Sequence, residues 1–304
     1  MTIVLALAAF GGGVWLLVES VEGLVETLAR LAGAAGISGL VLSALVLGLD
    51  LESTAAGVAA TLDDLPGAAL GTSVGGAIFL VTLGIGLAAL AAPFSLRTPP
   101  SLLLAALLAT ALAIGLLLDG LLSRLDGAFL LAGFLPFVLI LLRRAREERI
   151  LAEAPAPRGR LLGRLALGVG GLVVGAELLV FGTERIVGSL GVSETAFGLL
   201  AVGAAVSFEE VILELLPAYR GRPEISVGNA IGTLVFLLTA SLGAISLARP
   251  VPVPDAVRTY HAPALALAVI LLCSLLARGR LGRAEGMLLC AAYAVYVVGA
   301  VTIA

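Results

Sequence analysis

Carboxylates interrupt apolar stretches of this chain in two places, and the two places repeat each other. The first reads Gly48-Leu-Asp50-Leu-Glu52 and runs on, past a short loop, to Gly71-Thr-Ser-Val-Gly75-Gly-Ala-Ile-Phe79-Leu-Val-Thr82. The second reads Ser207-Phe-Glu209-Glu210 and runs on to Gly228-Asn-Ala-Ile-Gly232-Thr-Leu-Val-Phe236-Leu-Leu-Thr239. An offset of 157 lays Glu52 on Glu209, Pro66 on Pro223, Gly71 on Gly228, Phe79 on Phe236 and Thr82 on Thr239 without a gap. One charged carboxylate at mid-bilayer costs about 2.5–3.5 kcal/mol, so Asp50, Glu52, Glu209 and Glu210 facing lipid would cost on the order of 10 kcal/mol. The chain has no lysine, and no arginine lies in these segments. Compensation must therefore come from polar neighbours, from protons or from a bound cation. Ser53, Thr54 and Ser207 flank the carboxylates, while Thr72, Ser73, Asn229 and Thr233 open the helices that follow. Hard cations such as Ca2+ take carboxylate, amide, hydroxyl and backbone oxygens of this kind. The one histidine, His261, lies far along the chain, so the set does not suit zinc. Glu209 and Glu210 sit about 100° apart on a helix and are expected to share one ion only if the helix unwinds locally.

The elements that carry these groups are membrane helices. Apolar residues make up 60% of the chain, charged residues 13%, and the mean hydropathy is +1.15, values that exclude an ordinary soluble domain. Apolar runs long enough to cross a bilayer recur ten times, near 2–29, 37–61, 66–92, 99–118, 127–142, 161–188, 193–218, 223–248, 259–277 and 284–303. The first is expected to be a membrane helix rather than a secretory signal, because no positive region precedes it and Glu19, Glu22 and Glu26 follow. Those three acids form one stripe, the wet end of a tilted helix or an ion entrance. Gly48 and Gly57 are expected to break the second segment, and Gly198, Gly203 and Pro217 to punctuate the seventh, freeing carbonyls beside the carboxylates. Cys273 and Cys290 fall in the last two segments as small apolar residues. With the N-terminus outside, the inner loops carry fourteen of the eighteen arginines, and only Arg124, Arg185, Arg249 and Arg258 remain outside. Both termini then face outward and the basic stretch 143–164 is cytoplasmic.

The duplication extends upstream: an offset of 155 lays Glu22 on Glu177, Arg30 on Arg185, Gly33 on Gly188 and Ser38 on Ser193. The chain divides into a five-helix repeat over 1–142, a linker over 143–164 rich in Arg, Glu, Ala and Pro, and a second five-helix repeat over 165–304. Five is odd, so the second repeat enters the membrane from the opposite side. The fold class expected is an all-α integral membrane protein of ten helices in two inverted repeats, an arrangement that supports alternating access.

Several of these motifs resemble the cation/Ca2+ exchanger superfamily of sodium–calcium and proton–calcium antiporters. The resemblance covers nearly the whole chain and is sharpest in Gly191-Val-Ser-Glu-Thr-Ala-Phe-Gly198, in Ala-Val-Gly-Ala-Ala-Val-Ser207-Phe-Glu-Glu210, in Arg220-Gly221 and in Gly228-Asn-Ala-Ile-Gly232. Family members carry Gly-Thr-Ser-Leu-Pro-Glu at the acidic site and Gly-Asn-x-x-Gly-Ser-Asn in the next helix. The resemblance puts the family's ion-binding glutamate on Glu210, while the internal repeat pairs Glu52 with Glu209. Neither copy keeps the first motif intact, and Ala77 and Leu234 stand where the family has the last asparagine of the second. Gly48-x-x-x-Glu52 is similar to the proton-coupled branch.

The resemblance implies an antiporter exchanging Ca2+ for Na+, with Glu52 and Glu210 as central ligands. Asp50, Glu209, Ser207, Thr54, Thr72, Ser73, Asn229 and Thr233 would surround them, while the first and sixth helices slide across the rest. Coupling to H+ is the nearest rival, and a non-transporting protein on the exchanger fold is another. Intramembrane proteases resemble Glu-Glu-x-x-x-Arg with histidine-bearing helices. Here Glu209-Glu210-Val-Ile-Leu-Glu214 has no arginine at that spacing, so no enzyme is expected. No cofactor is expected, only the transported Ca2+ and Na+ or H+. Partners are inorganic cations and the bilayer, with no nucleic acid, and a monomer is compatible. A prokaryotic plasma membrane fits the compact length.

Overall fold

The computed structural model describes residues 3–147, 158–188 and 203–303. Helix α1 (Ile3–Ala35) leads into a broken pair, α2 (Gly39–Val46) and α3 (Leu51–Leu62). Then come α4 (Pro66–Ala91), α5 (Pro100–Leu117) and α6 (Arg124–Glu147). The second half supplies α7 (Arg158–Gly188), α8 (Gly203–Tyr219), α9 (Pro223–Ala248), α10 (Val257–Ala277) and α11 (Arg283–Ile303). Among the described residues, nine segments are long and apolar enough to span a membrane, with α2 and α3 forming one of them. Part of the seventh apolar run, 193–202 with Gly198 and Ser193, lies outside the described residues.

Two-residue strands between the helices show how the halves are related. Strand β1 (Phe94–Ser95) follows α4 and β2 (Leu121–Leu122) follows α5, so one membrane crossing separates them. Strand β3 (Val251–Pro252) follows α9, at the place in the second half that β1 holds in the first, and β4 (Arg280–Leu281) follows α10. The pairings are crossed: Phe94 lies opposite Leu281, and Leu122 opposite Val251. Equivalent loops β1 and β3 therefore sit on opposite ends of the helical bundle, which is what inversion requires. Packing obeys the same relation. Phe79 meets Tyr293 edge-on at 5.5 Å, and Phe236 meets Phe134 edge-on at 5.7 Å. Gly86 lets α4 approach α11 near the Gly286 carbonyl, and Gly243 lets α9 approach α6 near the Gly127 carbonyl. Both α4 and α9 widen into a π turn at the same register, Leu80–Gly84 and Leu237–Ser241.

The break in the second segment occurs where glycine was expected, but only once. Helix α2 ends at Val46, and α3 restarts after Asp50, whose carboxylate caps it by accepting from the Ser53 N–H at 2.9 Å. Gly48 is pressed against the backbone of Gly232, where a Cβ would come within 2.7 Å of its Cα. Gly57, in contrast, does not interrupt α3. It gives room to Thr72 and Ile245, which pack where its side chain would be. The described interior divides into two apolar clusters. The larger joins α2, α4, α5, α6, α9 and α10, and the smaller is centred on α1 and α7 through Leu17, Val21, Leu24, Leu28, Leu172 and Leu179. Gly13 and Gly175 let those two long helices touch backbone to backbone, so they pack first on each other.

A candidate cation site between the repeats

A cavity of about 200 Å³ opens where the α2–α3 break faces α8 and α9. One wall carries Asp50, Glu52 and Ser53 from the break, and the other Glu209, Glu210, Asn229 and Thr233. Val169, Leu172 and Val173 of α7 form an apolar side, and Leu80 closes the end at the start of the α4 π turn. Among the described residues, no arginine or histidine lines it. The donor set is carboxylates, one amide and hydroxyls, which matches a hard cation and not a soft one. Asn229 and Thr233 line the cavity while being only 2% and 4% exposed.

The chain belongs to the sodium/calcium exchanger family. Its family model, described as sodium/calcium exchanger protein, matches twice, over residues 5–143 and 160–302. The Escherichia coli inner membrane protein YrbG is 30% identical over 266 residues, covering 81% of each chain. The putative antiporter CaxA of Alkalimonas amylolytica is 27% identical, covering 93% of this chain and 95% of its own. A solved structure of the sodium-calcium exchanger NCX_Mj, soaked with Na+ and Sr2+, superposes with a TM-score of 0.85 at 26% identity over 98% of this chain and 99% of that one. The protein is thus an integral membrane antiporter of the cation/Ca2+ exchanger type and not an enzyme.

Within this exchanger, the four carboxylates drawn from the two repeated segments face one cavity. Glu209 and Glu210 both line it although α8 is not unwound at that point, so the cavity wraps the roughly 100° between these adjacent positions. The hydroxyls divide. Thr233 lines the cavity, whereas Thr54 donates to the Asp50 carbonyl at 2.9 Å and Thr72 to the Ala69 carbonyl at 2.8 Å. Ser73 is fully buried, 3.2 Å from the Ser241 hydroxyl, at the contact between α4 and α9. These three do not line the cavity in this arrangement, and the side chain of Ser207 lies outside the described residues. Among the described residues, no three carboxyl, thiol or imidazole groups converge tightly enough to hold one ion. Gripping a dehydrated ion would therefore require the walls to draw together.

His261 lies in a π turn at the start of α10, its Nδ1 2.8 Å from the Tyr296 hydroxyl, and takes no part in the cavity. Cys273 and Cys290 are free thiols. The acidic stripe of α1 faces an open hollow with Arg30, Arg220 and Arg222, where Glu22 pairs with Arg220 and Glu26 with Arg30. One polar group was not among the expected ligands. Glu214 is wholly buried, and the Asn229 amide donates to its Oε1 at 2.9 Å. Its sequence signal is a further acid one helical turn beyond Glu210, inside an apolar run.

Proposed function

We propose that this exchanger moves Ca2+ against Na+ by letting the two ions compete for the carboxylates of the cavity. The observation that carries the reading is the meeting of Asp50 and Glu52 from one repeat with Glu209 and Glu210 from the other, with no cationic side chain among the described residues that line the cavity. Glu52 and Glu210 would be the central ligands. Asp50 and Glu209 add charge, Asn229 and Thr233 neutral oxygens, and Ser207, Thr54, Thr72 and Ser73 would complete the shell as the walls approach. A more anionic site than the family's usual one suits a divalent ion, because each added carboxylate raises attraction most for the higher charge. The apolar wall from α7 belongs to the α1–α7 cluster, so movement of that pair would open and shut the cavity to one side and then the other. Arginine distribution supports both termini outside, the 143–164 linker in the cytoplasm and a prokaryotic plasma membrane as the location. The two five-helix units would span 1–142 and 165–304. The experiment is uptake of radiolabelled Ca2+ into proteoliposomes under an outward Na+ gradient or, separately, an outward H+ gradient. Uptake with Na+ alone is expected and should be abolished by Glu52→Gln or Glu210→Gln. Uptake with H+ alone would move the protein to proton coupling, and full uptake by either variant would overturn the site.

A further inference from the structure

Repeat symmetry fails at one buried polar pair. The offset that superposes the halves lays Glu214 on Gly57 and Asn229 on Thr72, so the second repeat has a carboxyl and an amide where the first has no side chain and a hydroxyl. Around Gly57 the space is filled by Ile245, and around Glu214 it is opened by Gly84, whose missing Cβ would lie 3.3 Å from the Glu214 Cγ. The carboxyl is 0% exposed, and Ser226 donates to the Glu214 backbone carbonyl at 2.6 Å, which holds α8 and α9 in register. Asn229 Nδ2 donates to Glu214 Oε1, while Asn229 Oδ1 and Glu214 Oε2 are both buried with no hydrogen-bond partner.

An amide is two-ended, and a cation tolerates only one end. Left free, the Asn229 side chain could turn its N–H group toward the ion and repel it. Glu214 Oε1 takes that N–H group, and the amide is left with its oxygen unpartnered on a residue that lines the cavity. We infer that Glu214 is a positioning residue, which locks the amide of Asn229 so that the exchanger's cation site sees only an oxygen. The lock needs an acceptor at Oε1 and no negative charge, so a glutamine of the same shape preserves it. It also makes the site one-sided, because Thr72, the counterpart of Asn229, spends its hydroxyl on the Ala69 carbonyl.

This inference rests on the cavity being the cation site, and the test separates the two. Ca2+ uptake would be measured against Ca2+ concentration in proteoliposomes for the wild type, Glu214→Gln, Glu214→Met, Asn229→Ala and the Glu214→Met/Asn229→Ala double variant. Losing one oxygen ligand is expected to raise the half-saturating Ca2+ concentration about tenfold. Asn229→Ala and Glu214→Met should both show that rise, and Glu214→Gln should stay near wild type. The double variant should be no worse than Asn229→Ala alone, since Glu214 acts through Asn229. If Glu214→Gln is as damaging as Glu214→Met, the carboxylate itself is needed and the inference is wrong. If Glu214→Met is harmless, or if the two single effects multiply in the double variant, it is equally wrong. Should Glu214→Met fail to fold, the Glu214→Gln and Asn229→Ala results decide alone: near-normal Gln with weakened Ala supports the lock, and any other pair sinks it. A wild type that takes up no Ca2+ would instead overturn the proposed function.

Discussion

Asp50 has a capping task in the fold and a second, proposed task at the cation site, and the two can be pulled apart. Its Oδ1 caps α3 by accepting from the Ser53 N–H, and its side chain also faces the cavity beside Glu52. Capping needs a short oxygen acceptor and no charge, and removing a cap costs about 1 kcal/mol. Attraction of a divalent ion needs the charge. Asp50→Ser should therefore keep the thermal stability of the wild type and lose Ca2+ affinity, whereas Asp50→Ala should lose both. Melting in detergent read beside a Ca2+ uptake curve checks this, and equal stability of the two variants would show that the cap contributes nothing. At this scale the sequence was legible where charge stands against an apolar background, which picks out Asp50, Glu52, Glu209 and Glu210 directly. It was opaque for the pairing of Glu214 with Asn229, because their meeting depends on the register between α8 and α9. The same holds for Thr54, Thr72 and Ser73, whose spacing says nothing about which helical carbonyl or neighbour takes up each hydroxyl.

Helix contacts close to the site depend on glycine at specific positions rather than on glycine content. Gly232 of α9 meets the Ala44 carbonyl of α2, where an added Cβ would sit 2.6 Å from the oxygen, and it also bears on the break at Gly48. Neither atom is the flexible end of a side chain, so α2 and α9 would have to separate. Gly232→Ala should then cost about 1–3 kcal/mol and impair uptake by shifting the wall that carries Asp50 and Glu52. Gly115 is the control, since it lies exposed on α5 with nothing near its missing side chain. Gly115→Ala should be neutral or stabilising by up to about 1 kcal/mol, from helix propensity alone. Melting temperatures of both variants test the contrast, and equal shifts would refute the packing argument. The ten apolar runs and their offset made these elements readable beforehand, as did the break at Gly48. The π turns were not readable: Thr82 and Thr239, inside them, bond back to the Ile78 and Val235 carbonyls just before them, but Thr110 makes the same kind of bond inside unbroken α5. A threonine in the sequence therefore does not announce a widened turn.

The whole molecule holds two apolar clusters beside one cavity, and the proposed transport would have the α1–α7 pair travel against the rest. Helices α1 and α7 form their own apolar cluster, against which Phe208, Ile212, Leu213 and Leu216 of α8 pack, and α7 supplies the cavity's apolar side, while α2, α4 and α9 belong to the larger cluster. Apolar faces slide at low cost because their contacts are non-directional, and the small residues at the α1–α7 contact would let that pair move as a unit. A polar contact across the boundary is the place to arrest the motion. Glu22 of α1 pairs with Arg220, in the turn between α8 and α9, and the pair is partly exposed, so by itself it contributes about 0–1 kcal/mol. That is too weak to hold the bodies together but it marks two positions that touch in this conformation. With Cys273 and Cys290 first changed to alanine, the Glu22→Cys/Arg220→Cys variant should be bridged by a reducible bis-methanethiosulfonate linker, whose spacer replaces the two long side chains that now meet. Ca2+ uptake should stop when the crosslink forms and return on reduction, while equilibrium Ca2+ binding persists throughout, because the cavity lies away from the link. Uptake that continues at the wild-type rate in fully crosslinked protein would mean that α1 does not move relative to α8 and α9 during exchange. Loss of binding together with uptake would place the link's effect on the site itself instead of on the motion.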